Sequence, residues 1–292
     1  NLATPYGDAS FHTKNTKQFA EDVTEATDGE LTVTVHSGGS LISHGEIKPS
    51  VRRGTVQAGE IFLSILSNES PVYELDTLPG VASSYEEAFA LWQASKPDIT
   101  ELFAKEGLMP LYAVAWPAQG IYTDFDLTDV SQLKGLRIRA PNINTQRFVE
   151  NVGGKPTETE EADIPTAFST GRVDAMITSS STGKSMSAWD YVMHYNDAKL
   201  WLPKNIVFVE STQQVVLDAA KAAETRGWEA SKADADESAK VLTENGFTIS
   251  EPDAKLAEDL KAAGDKLFQD WKSRAGEEGQ QLLERYRADL DA

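Results

Sequence analysis

The chain reads as an α/β protein of two lobes, with strands crossing between them and long helices at the C-terminal end. Three observations predict this. Short apolar, β-branched runs alternate with longer helical patterns, as in folds built on mainly parallel sheets. At 292 residues the chain exceeds the soft prior of about 150 residues per domain, yet it shows no internal repeat or low-complexity linker. From Asp218 onward the pattern is almost wholly helical. Two lobes joined by several strand crossings, with the C-terminal helices packed on both, satisfy all three. A cleft then lies at the lobe boundary, where strand ends meet and ligands settle.

The first helix is expected over Phe11–Glu25, with Phe19 and Val23 on one face, and a strand follows at Leu31–Val35. Further strands are expected at Val56–Phe62, Met109–Ala115, Leu136–Arg139, Val173–Ile177, Ile206–Val209 and Gln213–Leu217. A helix at Tyr85–Trp92 carries Ala88, Leu91 and Trp92. A long acidic helix runs to Glu244 and breaks at Asn245-Gly246. Leu256, Leu260, Ala263, Leu267 and Trp271 then form one apolar stripe, and Leu283, Tyr286 and Leu290, after Gly276 and Gly279, form another.

Composition narrows the function. Hydrophobic residues make up 40% and charged residues 25%, which suits a globular protein with a real core. No apolar run reaches the roughly 18 residues of a spanning helix. Against 27 Lys and Arg stand 46 Asp and Glu, a net charge of −19 that repels nucleic acid and anionic lipid. Acidic stretches such as 158–163, 234–237 and 277–278 read as hydrated surface, as in a saline habitat. With no cysteine there is no disulfide, no cysteine-bound zinc and no thiol nucleophile.

A catalytic constellation is missing. Of four histidines, His36 and His44 flank a Ser37-Gly-Gly-Ser40 loop, but no nucleophile-elbow pattern surrounds either serine, and the loop reads as a turn. There is no phosphate-binding glycine motif and no helical zinc spacing. Neither a cofactor nor an enzymatic activity is expected.

One segment is specific. Leu133-Lys-Gly-Leu-Arg-Ile-Arg-Ala-Pro-Asn142 resembles the signature of the DctP-type solute-binding proteins of tripartite (TRAP-type) transporters. The likeness continues in order through Phe11-His12 with Phe19–Val23, Gly54-Thr-Val56, Leu78-Pro79, Trp116 with Gly120, Thr170-Gly-Arg-Val-Asp174, Trp189-Asp-Tyr191 and Trp271 with Gly276. It implies a periplasmic-binding-protein-like fold closing over a solute. Lobe I then comprises about 1–116 plus 205–244, and lobe II about 117–204 plus 245–292. It also implies a periplasmic monomer whose signal peptide has been removed and whose partners are a small-molecule solute and the TRAP membrane permease.

The resemblance assigns the solute's carboxylate to Arg139, the second arginine of the signature, whose planar fork suits bidentate contact. Arg137 is expected on the surface. Asn142 is expected at the cleft edge, and Trp116 and Tyr6 as aromatic walls or interlobe core. Phe62 shares a strand face with Glu60, which is expected either in the pocket or in a structural pair. Gln119 stands where many relatives carry a second arginine, and Thr178 followed by Ser179 stands where they carry asparagine. Glu161 replaces a pocket aromatic. Losing a cation and gaining an anion favours an amine-bearing solute, an amino alcohol or a zwitterion. A small carboxylate or sugar acid is the alternative, and an α/β small-molecule enzyme or a rigid interaction module the alternatives of other classes. Glu158 and Glu160 are expected on the surface.

Overall fold

Two sheets organise the molecule, in a computed structural model that describes residues 1–210 and 214–290. The first sheet has the order β2-β1-β3-β10-β4, from strands β1 (Leu2–Ala3), β2 (Val35–His36), β3 (Ala58–Phe62), β4 (Met109–Ala115) and β10 (Lys204–Val209). The second has the order β11-β9-β5-β8-β6-β7, from β5 (Gln119–Thr123), β6 (Arg137–Ala140), β7 (Lys155–Glu158), β8 (Ala175–Ser179), β9 (His194–Asn196) and β11 (Thr248–Ser250).

The sheets are mainly parallel, as expected, but each contains one antiparallel strand. In the first, β10 lies antiparallel to both β3 and β4; in the second, β5 lies antiparallel to both β8 and β9. The cause is the crossing. β4 runs through Trp116 into β5, and β9 returns through Trp201 into β10, so β5 and β10 each enter a sheet from the other one. The two crossing segments bond to each other: Trp116 N–H donates to Pro203 O (2.8 Å), Gln119 N–H to Trp201 O (2.9 Å) and Leu200 N–H to Gln119 O (2.9 Å).

Helix α1 (Phe11–Ala26) starts where the Ser10 hydroxyl accepts from His12 N–H, and buries Phe19 and Val23. After α2 (Ile47–Arg52), α3 (Tyr85–Ala104) opens with a Ser84/Glu87 capping box. It outruns the expected Tyr85–Trp92 because Ser95, Ile99 and Phe103 continue the buried stripe through Pro97. Helices α4 (Ile143–Asn151), α5 (Ile164–Ser169) and α6 (Ser180–Ser185) belong to the second sheet's side.

The expected strand at Gln213–Leu217 is a correction. Gln213 lies outside the described residues, and Gln214–Leu217 opens helix α7 (Gln214–Glu244). Val216, Ala219, Ala220 and Ala223 fall at helical spacing and pack on α1 and β4, so tertiary burial overrides local β-propensity. Gly227 belongs to that contact, because a Cβ there would meet Val114 Cγ2 at 2.3 Å. The expected Leu31–Val35 strand shrinks to β2, since its partner β1 is two residues long. Helix α8 (Ala254–Leu290) breaks at Gly276, whose φ of 56° suits glycine. α7 touches α1 and β4 on one side and α6 on the other, and α8 lies against both α3 and α4. Both long helices therefore bridge the two sheets.

Candidate functional site

Where the crossings meet, the two sheets face each other across a small cavity with ≈ 440 Å³ of empty space, part of it open to solvent. From the first sheet's side it receives Tyr6 after β1, His44 and Phe62 at the end of β3. The crossing supplies Trp116 and Gln119; the second sheet's side supplies Arg139, Pro141, Glu160, Glu161, Thr178 and Thr182.

Pleating explains the second wall. Arg139 on β6 pairs in register with Met176 on β8, and Thr178 lies two residues further along, hence on the same face. Ser179 points the other way. Its hydroxyl accepts from Thr182 N–H (3.2 Å) and caps α6, which removes it from the expected cavity lining. Asn142 stands one residue beyond the cavity-lining Pro141, where its side-chain oxygen accepts from Thr145 N–H (3.0 Å) and caps α4.

Glu60 is 1% exposed and sits behind the cavity rather than in it, two residues down β3 from Phe62. Asn205 Nδ2 donates to it (3.0 Å), and His12 Nδ1 lies at 3.5 Å. Burial pushes the Glu60 carboxyl up and the His12 imidazole well down, so both lean towards their neutral forms. The Asn205 carbonyl oxygen accepts from both Tyr6 OH (3.1 Å) and Trp116 Nε1 (2.8 Å). A buried polar chain thus fixes the aromatic wall, whose Tyr6 and Trp116 rings meet edge to face with centroids 5.0 Å apart.

Arg139 carries the electrostatics. It is 5% exposed; Nε donates to Thr159 O (2.9 Å) and Nη1 to Ile177 O (3.5 Å). Among the described residues no carboxylate approaches it within the 4.0 Å of an ion pair. Arg137, by contrast, forks onto Asp174 at the strand's solvent end, through Nε at 2.8 Å and Nη2 at 2.5 Å. Burial disfavours the Arg139 charge, and Glu161, then Glu160, support it from a distance.

Glu161 accepts from Thr182 Oγ1 (3.2 Å). Desolvation pushes its carboxyl up, opposed by Arg139. Gln119 is held by its own crossing, Nε2 donating to Pro117 O (3.0 Å).

Of ten residues singled out from the sequence, Arg139, Glu161, Trp116, Thr178, Tyr6, Phe62 and Gln119 lie together around this cavity. His44, Pro141, Glu160 and Thr182 join them without having been singled out. Thr182 is foreseeable only once α6 is known to begin at β8. Glu160, expected on the surface, lines the cavity and accepts from His44 Nδ1 at 3.3 Å.

Comparison with known proteins agrees with this geometry. The model of bacterial extracellular solute-binding protein, family 7 (DctP) matches residues 3–274. A solute-binding protein of Albidiferax ferrireducens is 25% identical over 179 residues, 60% of this chain and about half (52%) of that relative's length. The crystal structure of DctP7, a Bordetella pertussis extracytoplasmic solute receptor binding pyroglutamic acid, is 38% identical with a TM-score of 0.96 over 98% of both chains. A TRAP solute-binding protein of an unidentified marine microbe, specific for pyroglutamate, is 32% identical with a TM-score of 0.93, covering 98% of this chain and 97% of its own. The family-model match over residues 3–274 and the likeness to these solute receptors make the two-lobed scaffold that of a receptor rather than an enzyme, and the chain belongs to bacterial extracellular solute-binding protein family 7.

Proposed function

We propose that this TRAP-type receptor captures pyroglutamate, or a cyclic amido-acid of the same shape, and delivers it to a membrane permease from the periplasm. The observation that carries this reading is the buried Arg139 guanidinium, which among the described residues has no carboxylate partner within ion-pair distance and shares a small aromatic-walled cavity with the partly buried Glu161. A buried charge without a counter-ion is costly, and a solute carboxylate supplies one in fork-to-fork geometry. Pyroglutamate adds a flat five-membered ring, one amide N–H and one amide C=O. Tyr6, Phe62 and Trp116 offer faces for the ring, Glu161 an acceptor for the N–H, and the Thr178 hydroxyl a donor for the C=O. The relatives 32–38% identical to this chain that bind pyroglutamate support the assignment.

The amine-bearing solute expected from Glu161 is not supported and is set aside. Those relatives bind a carboxylate whose nitrogen is an uncharged amide. Beside Arg139, with its own ionisation opposed by burial, Glu161 is better suited to accept a hydrogen bond than to act as counter-ion to an ammonium. The lobes, about 1–116 plus 205–244 and 117–204 plus 245–292, close over the solute around the paired crossings. Only the closed form presents both faces to the permease at once.

Glu161→Leu tests the acceptor role. Selectivity for pyroglutamate over cyclopentanecarboxylate, which lacks both N–H and C=O, should fall about tenfold, or ~1.4 kcal/mol. Part of that fall should come from better binding of the simple acid, because a repulsive carboxylate has gone. Glu158→Gln, whose side chain is exposed, should change neither affinity. Calorimetric selectivity left intact by Glu161→Leu removes Glu161 from the site.

A further inference from the structure

Two of the cavity residues touch each other across the gap between the sheets. His44 belongs to the first sheet's side, in the 3-10 turn His44–Glu46 that leads into α2. Glu160 belongs to the second, in the loop after β7. The ring of His44 is held on one edge: its Nε2 accepts from the backbone N–H of Phe62 at 3.1 Å. A nitrogen accepting a hydrogen bond carries no proton, so in the neutral imidazole the proton sits on Nδ1. Nδ1 is the atom 3.3 Å from Glu160 Oε2. The His44 side chain is 9% exposed and meets Tyr6 edge to face at 6.0 Å, whereas the Glu160 side chain is 63% exposed. A fixed donor on one side thus faces a solvent-reaching acceptor on the other. That carboxylate is held below its usual range, first by the His44 hydrogen bond and also by Arg139 nearby, so it is charged and a good acceptor.

We infer that His44 is a positioning residue which, once the solute is seated, draws Glu160 across the mouth of the cavity and sets how long the solute stays. The inference rests on the proposed capture of pyroglutamate and concerns its release. The bond joins residues from opposite sheets at the rim, so it can form only when the two sides have closed. It is therefore absent from the encounter between the open receptor and its solute. An interaction made after encounter lengthens residence and leaves association unaided. The Glu160 charge also lies near Arg139, where it opposes an incoming carboxylate. A direct role of Glu160 on the anionic solute would make its removal slow release; a latch makes its removal speed release. The two roles differ in sign.

Stopped-flow intrinsic fluorescence with pyroglutamate separates them, using wild type, Glu160→Ala, His44→Leu and the double variant. Each single change should speed release about tenfold, ~1.4 kcal/mol of closed-state stability, with association no slower than wild type. The double variant should release no faster than the quicker single variant, because the same bond is lost only once. Unchanged or slower release from Glu160→Ala overturns the latch, as do effects of the two changes that add. Glu160 is too exposed for its truncation to unfold the protein, so this arm decides even if His44→Leu is unstable. If wild type itself fails to bind pyroglutamate, the functional reading falls and the latch with it. If wild type binds and release is unaltered by the variants, the latch alone falls.

Discussion

Arg139→Ala should lower affinity for pyroglutamate by about 30- to 3,000-fold, the equivalent of ~2–5 kcal/mol, while leaving the fold intact. The size follows from where the guanidinium sits. It is 5% exposed, its Nε is committed to Thr159 O at 2.9 Å, and no protein carboxylate completes its coordination among the described residues. The remaining N–H donors converge on the cavity, so a carboxylate placed there is desolvated and paired in one step. Truncation leaves that carboxylate buried and unpaired, with Glu161 as an unshielded like charge. Arg139→Lys should recover only part of the loss, since a point charge cannot reproduce the fork. Calorimetry is the direct measure, and a loss below threefold for Arg139→Ala would place the residue outside the site.

Asp76→Ala should cost about 3–5 kcal/mol of folding stability. Lys204 begins β10 immediately after the return crossing, and its side chain is 1% exposed. Asp76, at 3%, lies 3.2 Å from its Nζ and also accepts its backbone N–H at 2.8 Å. Burial pushes the Asp76 carboxyl up and the Lys204 ammonium down, and each opposes the shift in the other. Removing the acid strands a buried cation. The double change Asp76→Leu with Lys204→Met should therefore be far milder than Asp76→Ala, because both charges leave together. Urea denaturation of the three proteins checks this ordering. The pair anchors the crossing that carries Asn205 and, through it, Tyr6 and Trp116. Solute affinity in Asp76→Ala should fall too.

How much of this was legible in the sequence depends on whether the signal was local. The stripes at Phe19 and Val23, and from Leu256 to Trp271, are periodic over whole turns, and helices stand there. The Val215-Val216-Leu217 run carries a strand's composition on a helix's register; only contact with α1 and β4 decides between them. Strands β1, β9 and β11, of two or three residues, are too short for any periodicity to show. The one reversed strand in each sheet, β10 and β5, follows from the crossings, which no single run reveals. Around the cavity, Arg139 and Thr178 were reachable because the family resemblance marks both positions, in the signature segment and after the Val173-Asp174 turn. His44 and Glu160, separated by 116 residues, carry no local mark of their contact. Glu60 illustrates a different limit: strand parity placed it correctly beside Phe62, but the Asn205 bridge that turns it into a support for the aromatic wall comes from β10.

The central claim is that Arg139 and Glu161 together select a carboxylate bearing an uncharged ring N–H. Titration calorimetry of pyroglutamate against proline tests it most directly, since proline keeps the ring and the carboxylate but replaces the amide with a charged amine. Pyroglutamate should bind at least a hundredfold more tightly, ~2.7 kcal/mol, because proline lacks the carbonyl that Thr178 can reach and must desolvate an ammonium. Equal or tighter binding of proline would contradict the assignment and return Glu161 to the role of an ammonium counter-ion.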